Sequence, residues 1–252
     1  VISPGSRSTP LALAMLRQSG LQCTVAVDER SAAFFALGIA KASRRPALVL
    51  ATSGTAPANW LPAVIEASQS GVPLILLSAD RPPELQACGA NQTIDQMDLF
   101  GSHVRARHAL GTPAEGFDPG YLQRLAARIS EQAVWPHPGP VHINQPFREP
   151  LVPGQETAAS SRLERIVISR PELQPSPDDI RELSDRIAGR PGIIVCGETP
   201  LRNGYADALT ALAARLDCPI LAEPLSNLRF GRHKRSHVCV RYNTWLSDPR
   251  AV

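Results

Sequence analysis

The chain has 252 residues, 43% hydrophobic and 19% charged, which excludes a disordered chain and leaves room for one large domain or two ordinary ones. Its 26 Lys and Arg against 23 Asp and Glu leave a formal net charge of +3. That excess is too small to indicate a nucleic-acid partner, and with 5% aromatic residues base-stacking platforms are not evident either.

In chain order, Cys23–Val27 reads as a strand, Ser31–Ser43 as an Ala-rich helix and Ala47–Thr52 as a strand. Ala58–Ser68 reads as a helix and Pro73–Ser78 as a strand, after which Arg81-Pro82-Pro83 breaks the pattern. Leu122, Leu125, Ile129 and Ala133 give Tyr121–Val134 helical spacing, and Pro140–Asn144 is a further strand. Strand and helix in alternation predict an α/β fold, a parallel sheet with helices on both faces. Leu151–Pro177 carries prolines and a polar tract and reads as a linker. The rhythm then resumes, with helix at Asp178–Ile187, strand at Gly192–Cys196, helix at Tyr205–Leu216 and strand at Pro219–Ala222. The expected division is therefore a domain over 1–150, a proline-rich linker over 151–177 and part of a second, Rossmann-like α/β domain over 178–252.

Cys23, Cys88, Cys196, Cys218 and Cys239 form no CxxC pair, so buried thiols in a reducing, cytoplasmic setting are expected rather than a disulfide framework or zinc ribbon. No apolar run approaches the ~18 residues that span a bilayer, so no transmembrane segment is expected. His233 and His237 have metal-ligand spacing, but they sit among cations with no acidic residue between them and read as a solvated basic loop.

In an open parallel sheet, ligands bind at the carboxyl ends of the strands. Polar clusters fall at such positions: Ser3 to Ser8 after Val1-Ile2, Asp28-Glu29-Arg30, Thr52-Ser53-Gly54-Thr55, Ala79-Asp80-Arg81 and Asn144-Gln145-Pro146. Taken singly, Gly5-Ser6 and Ser53-Gly54 read equally as turns with helix caps, Glu29 as a first-turn carboxylate, and Arg7 and Arg81 as surface charges. The sequence has no GxGxxG and no P-loop.

Six segments in order, SPGSRSTPL at 3–11, DER at 28–30, ATSGTAPAN at 51–59, LSADRPPEL at 77–85, CGANQTIDQ at 88–96 and GPVHINQPFREPL at 139–151, resemble the 2-succinyl-5-enolpyruvyl-6-hydroxy-3-cyclohexene-1-carboxylate synthases. These are thiamine-diphosphate enzymes of menaquinone and phylloquinone biosynthesis. The resemblance is strong to about residue 151 and weaker over Gly192–Asn227. It implies three α/β domains, of which 1–150 is expected to be the pyrimidine-binding one without its first helix. It implies decarboxylation of 2-oxoglutarate and Stetter-like 1,4-addition of the succinyl-semialdehyde carbanion to isochorismate. It also implies thiamine diphosphate with Mg2+ or Mn2+, and a homodimer or homotetramer.

Carried over residue by residue, Glu29 matches the glutamate that bonds N1′ of the aminopyrimidine, and Thr52, Ser53 and Gly54 line the pyrimidine. Ser6, Arg7 and Arg81 match carboxylate-binding positions, where a guanidinium grips with two parallel bonds. Gln92 lies near both cofactor and substrate, and Asn91 is a weaker candidate beside it. The Gly-Asp-Gly and Asn-Asn elements that hold metal and diphosphate in the family do not occur. The resemblance therefore places them on a diphosphate-binding domain outside the chain, which is expected to be inactive alone. The alternatives are another thiamine-diphosphate 2-oxoacid decarboxylase or carboligase, or a non-catalytic α/β binding module.

Overall fold

The computed structural model describes residues 1–114, 116, 118–152, 166–199, 204–248 and 250, which form two compact units, Val1–Ser169 and Arg170–Val252. The first contains α1 (Thr9–Leu16), α2 (Glu29–Ser43), β1 (Ala47–Ala51), α3 (Leu61–Gln69), β2 (Leu74–Asp80), β3 (Ala106–Ala109), α4 (Pro119–Val134) and β4 (Pro140–Pro146). The second contains α5 (Pro177–Ile187), β5 (Ile194–Cys196), α6 (Tyr205–Leu216), β6 (Ile220–Ala222), β7 (Val238–Cys239) and α7 (Tyr242–Leu246).

In the first unit the strands lie in the order β1-β2-β4-β3, all parallel, with Leu48 opposite Ile75, Leu76 opposite His142 and His108 opposite Ile143. Strands covered on both faces need apolar residues at successive positions, and β1, ALVLA, supplies them. Val49, Ala51, Leu74 and Leu76 face a core shared with α2 and α3, where Trp60 and Phe100 are buried. Leu50, Leu77, Val141 and Ile143 face the other way, against Leu11, Ala12 and Met15 of α1 and Ile129 and Ala133 of α4. Helices thus cover both faces, as the alternation predicted.

Asp28 starts α2 by accepting a hydrogen bond from the Ser31 N–H at 2.7 Å, so Glu29 becomes the first helical residue. Ala32, Ala33, Ala36 and Ala40 form its buried stripe, and these small side chains let the helix lie close to the sheet.

The strand expected at Cys23–Val27 is reduced to a single parallel bridge between Ile2 and Val25. Ile2 also bridges Leu50, so the segment Val1–Ser3 sits between Val25 and β1. Beyond Ser3 the pairing ends at Pro4, which has no N–H to give. Val25 and Val27 are left on an exposed edge, 60% and 82% accessible.

Four further elements, α1, β3, β7 and the five-residue α7, have no counterpart in the sequence reading. Helix α1 is apolar nearly all round, so it has no periodic stripe, while β3 and β7 are short strands at the sheet edges. Of the cysteines, Cys196 and Cys218 are buried and Cys23 and Cys239 half-buried. Cys88 departs from the buried expectation because it lies on a polar surface loop.

In the second unit a parallel β5-β6-β7 sheet packs Cys196, Ile220 and Ala222 against Ala213 and Leu228. Helix α5 opens with a capping box, in which Ser176 Oγ accepts from the Asp179 N–H and Asp179 accepts from the Ser176 N–H, both at 3.1 Å. Part of the expected linker, residues 153–165, lies outside the described residues, and 166–176 forms no helix or strand. No helix among the described residues is long and apolar enough to cross a membrane.

The loop after Ile2 runs directly over Thr52. A Cβ placed on Gly5 would lie 2.3 Å from the Thr52 Cβ, whereas one on Gly20 would meet nothing within 4 Å. Gly5→Ala is therefore expected to destabilise the protein by about 1–3 kcal/mol through overpacking. Gly20→Ala is expected to change stability by less than about 1 kcal/mol. Denaturant midpoints of the two variants check this, and equal effects would contradict the packing argument.

Candidate active site

The parallel strands all end at one rim, and the polar clusters read from the sequence stand along it. Glu29 follows the Val25 bridge, Arg7 the Ile2 segment, Thr52-Ser53-Gly54 β1, Arg81 β2, and Phe147 and Glu149 β4. A cleft of ≈ 600 Å3 on this rim is lined by Arg81, Gln86, Thr93, Gln96, Leu110 and Asn144 among others.

Arg7 is only 5% exposed, although it carries a full charge. Its Nη1 donates to the Phe147 carbonyl at 2.9 Å, and its Nη2 lies 3.5 Å from Glu149 Oε1. Its Nε–H is buried and has no partner among the described residues. Burial, and then the nearby Arg81 cation, lower the Arg7 pKa, while Glu149 opposes them. Each arginine is therefore within electrostatic reach of the other. Arg81 donates from Nη1 to Ser53 Oγ at 3.0 Å. A rim that holds two cations together, one with an unsatisfied donor, favours an anion.

Gly54 adopts φ +80°, a left-handed conformation that glycine adopts without strain. A Cβ there would also lie 2.8 Å from Gln92 Cγ. Gln92 donates from Nε2 to the Ser53 carbonyl at 3.1 Å, which ties the CGANQ loop to the Ser53–Gly54 turn. Thr52, Ser53 and Gly54 are buried. Ser6 and Asn91 are exposed; the Ser6 carbonyl accepts from the Thr9 N–H and the Asn91 carbonyl accepts from Thr93 Oγ1. Glu29 is half-exposed at the start of α2, and its carboxylate makes no hydrogen bond or ion pair among the described residues. The structure thus brings together Arg7, Arg81, Thr52, Ser53, Gly54 and Gln92, and places Glu29 on the same rim with no bond to them.

Sequence reasoning assigned no role to the groups beneath this surface. Gln96 is 1% exposed, and its Oε1 accepts from the Gly54 N–H at 2.7 Å. Its Nε2 donates to the Ala79 carbonyl at 3.1 Å and to Asn144 Oδ1 at 2.8 Å. Asn144 donates to Asp80 Oδ2 at 2.7 Å, and Asp80 Oδ1 accepts from the Arg81 N–H at 2.7 Å. Ser78 Oγ reaches both Asn144 Oδ1, at 2.9 Å, and His142 Nε2, at 2.8 Å. All lie within motifs read from the sequence; strand-end position was a signal for Asp80 and Asn144, while Gln96 sits on the loop after β2.

Among the described residues no group of three or more His, Cys, Asp or Glu side chains could hold a metal ion. His233 and His237 have separate partners, the Leu228 carbonyl at 2.9 Å and Asp217 at 3.7 Å.

Comparison with known proteins adds three findings. Residues 1–99 match the family model for the thiamine pyrophosphate enzyme, N-terminal TPP binding domain. All of the chain aligns, at 70% identity over 252 residues, with a 2-succinyl-5-enolpyruvyl-6-hydroxy-3-cyclohexene-1-carboxylate synthase of Dechloromonas aromatica (strain RCB), covering 47% of that protein. It aligns at 48% identity with the protein of the same name from Geobacillus kaustophilus (strain HTA426), covering 44% of it. The chain thus spans about half the length of the curated relatives it matches. Among solved structures, benzoylformate decarboxylase from Polynucleobacter necessarius shares the fold at TM-score 0.66 and 22% identity, over 89% of this chain and 40% of that one.

The network carries a pH signature. Burial, with the Arg107 cation adding, pushes the His142 imidazole down to about 4. The unfolded chain binds that proton at the ordinary value near 6.5, so its contribution is complete above about pH 6.5 and is lost as pH falls toward 4. The loss amounts to about 3 kcal/mol. His142→Gln should lower stability at pH 7.5 yet flatten its decline between pH 6.5 and 4, as followed by denaturant midpoints. An unchanged slope would contradict the assignment.

Proposed function

We infer that this chain, whose residues 1–99 are the N-terminal TPP binding domain of a thiamine pyrophosphate enzyme, forms part of a 2-succinyl-5-enolpyruvyl-6-hydroxy-3-cyclohexene-1-carboxylate synthase. The complete protein decarboxylates 2-oxoglutarate and joins the resulting four-carbon unit to isochorismate, in menaquinone or phylloquinone biosynthesis. The structural observation that carries this reading is the convergence of Arg7 and Arg81 on one rim, since both substrates are polycarboxylates.

Residues of the chain fit the aminopyrimidine end of thiamine diphosphate. Glu29 offers an uncommitted carboxylate, and Gly54 offers backbone without a side chain. When bound, the cofactor supplies a carbon acid that becomes a nucleophile toward a 2-oxo acid and then an electron sink for its decarboxylation. Glu29 holds a proton at N1′ of the aminopyrimidine. Thr52, Ser53 and Gly54 border that ring, and Gln92 presents an amide that donates and accepts without adding charge. Arg7, with Ser6, and Arg81 orient substrate carboxylates, and Asn91 stands beside them on the Gln92 loop.

The described residues do not fit the metal, because no acidic or histidine cluster is present among them. We assign Mg2+ or Mn2+ and the diphosphate to a part of the protein that this chain does not supply. Residues 1–150 then act as the pyrimidine-binding domain, 151–177 as a linker and 178–252 as part of the central domain. Assembly is proposed to be a homodimer or homotetramer, and location cytoplasmic.

In the complete protein, Glu29→Gln is expected to slow C2 proton exchange of bound thiamine diphosphate by about 10^2-fold or more, read by deuterium exchange. Normal exchange would remove Glu29 from this role. Arg7→Lys is expected to raise KM for isochorismate by about tenfold, while changing cofactor affinity by less than about twofold. Equal losses of both would make Arg7 a structural residue. The 252-residue chain alone, given both substrates, thiamine diphosphate and Mg2+, is expected to form no product. Consumption of 2-oxoglutarate by the complete protein that isochorismate does not affect would favour a simple decarboxylase.

A further inference from the structure

A closed ring of hydrogen bonds lies under the rim. It runs from the Gly54 N–H to Gln96 Oε1, from Gln96 Nε2 to Asn144, from Asn144 to Asp80, and from Asp80 to the Arg81 N–H. The Arg81 guanidinium closes it by donating to Ser53 Oγ, one residue from Gly54. Every side chain that carries the buried part of the ring is at least nine-tenths buried: Gln96 at 1%, Asp80 at 5%, Asn144 at 6% and Ser53 at 0% exposure. Its members come from the ends of three strands and from the loop that bears Gln92.

A buried amide that uses both its acceptor and its donors costs most when one is left unmade. Gln96 makes three bonds: one accepted from Gly54, and two donated, to Ala79 and Asn144, which use both of its N–H groups. Its orientation is therefore fixed. The reversed amide would point a donor at the Gly54 N–H and an acceptor at two oxygens.

We propose that Gln96 is a positioning residue, which holds the Ser53–Gly54 turn and Arg81 in one fixed relation so that cofactor and substrate carboxylate are presented together. The proposal rests on the functional reading above, and the role given to Gln96 is carried by its bonds to Gly54, Ala79 and Asn144. Gly54 needs such a hold because a left-handed turn next to Gln92 has other accessible conformations once its N–H loses its partner. Arg81 needs it because a misplaced guanidinium still binds a carboxylate but in the wrong place for reaction.

The test compares Gln96→Leu and Gln96→Glu in the complete protein. Gln96→Leu removes all three bonds at nearly constant volume. It is expected to raise amide hydrogen exchange at Gly54 at least about tenfold in the protein without cofactor. With cofactor, it is expected to lower kcat/KM for 2-oxoglutarate by about tenfold or more, per folded molecule.

In Gln96→Glu the introduced carboxyl can replace the amide only when protonated, accepting from Gly54 through its carbonyl and donating its O–H to Asn144. When ionised it faces the Ala79 and Asn144 oxygens, which repel it. The variant-to-wild-type activity ratio is therefore expected to rise about tenfold as pH falls from 8 to 6. Asp80 on β2, Asp95 on the loop, Arg81, and His142 through Ser78 are the charged and titratable groups around it. All are present in both proteins, so the ratio cancels their own titration.

Unchanged Gly54 exchange in Gln96→Leu, or an activity ratio for Gln96→Glu that does not vary with pH, overturns the proposal. A wild-type protein that makes no product from 2-oxoglutarate and isochorismate overturns the substrate assignment instead, and the exchange measurement still decides the role of Gln96. If Gln96→Leu fails to fold, the pH ratio of Gln96→Glu decides alone.

Discussion

Polar groups that leave water must find partners inside the protein, and the end of this sheet is organised by that requirement. Ser78, Asp80, His142, Asn144 and Gln96 are each less than a tenth exposed, and all are joined to one another or to the backbone. An apolar core in the same place would bury more hydrocarbon, but would leave the Gly54 and Arg81 N–H groups without these partners. The network also limits what else can change. Asp80 has one oxygen on Asn144 and the other on the Arg81 N–H, so the charge under the rim is already committed.

Electrostatics follow from the same architecture. Overall the chain is close to neutral, but Arg7 and Arg81 are held within reach of one another. Arg7 is kept charged in a buried place by the Phe147 carbonyl and by Glu149, and Arg81 is tied to Ser53. Two neighbouring cations repel, and an anionic ligand relieves that repulsion. The cost of holding them together therefore becomes affinity for a carboxylate. Among the described residues no cluster of His, Cys, Asp or Glu could hold a metal ion, and under the proposed function the two arginines serve the substrate carboxylates.

The alternation of apolar runs and helical stripes gave the parallel sheet and its two helical layers, because the strands are buried on both faces and β1 and the first half of β2 are apolar at every position. Where periodicity was weak, elements went unread. Helix α1 has no polar face, and β3 is four residues at an edge. Cys23–Val27 reads as a strand on its β-branched content, and it pairs with the Val1–Ser3 segment at one bridge, Val25 to Ile2.

The site divides in the same way. By itself the sequence determined which residue types stand at the strand ends, and through their order it pointed to a thiamine-diphosphate enzyme and to Glu29, Arg7, Arg81 and the Ser53–Gly54 turn. A strand end is set by local pattern, and a motif is a run of neighbours, so both are written along the chain. Only the tertiary structure decided which polar groups meet. Gln96 and Gly54 are 42 residues apart, and Asn144 and Asp80 are 64 apart. They touch because β1, β2 and β4 end side by side, and burial removes water as an alternative partner. The hold on the rim is therefore visible only once the strands are paired.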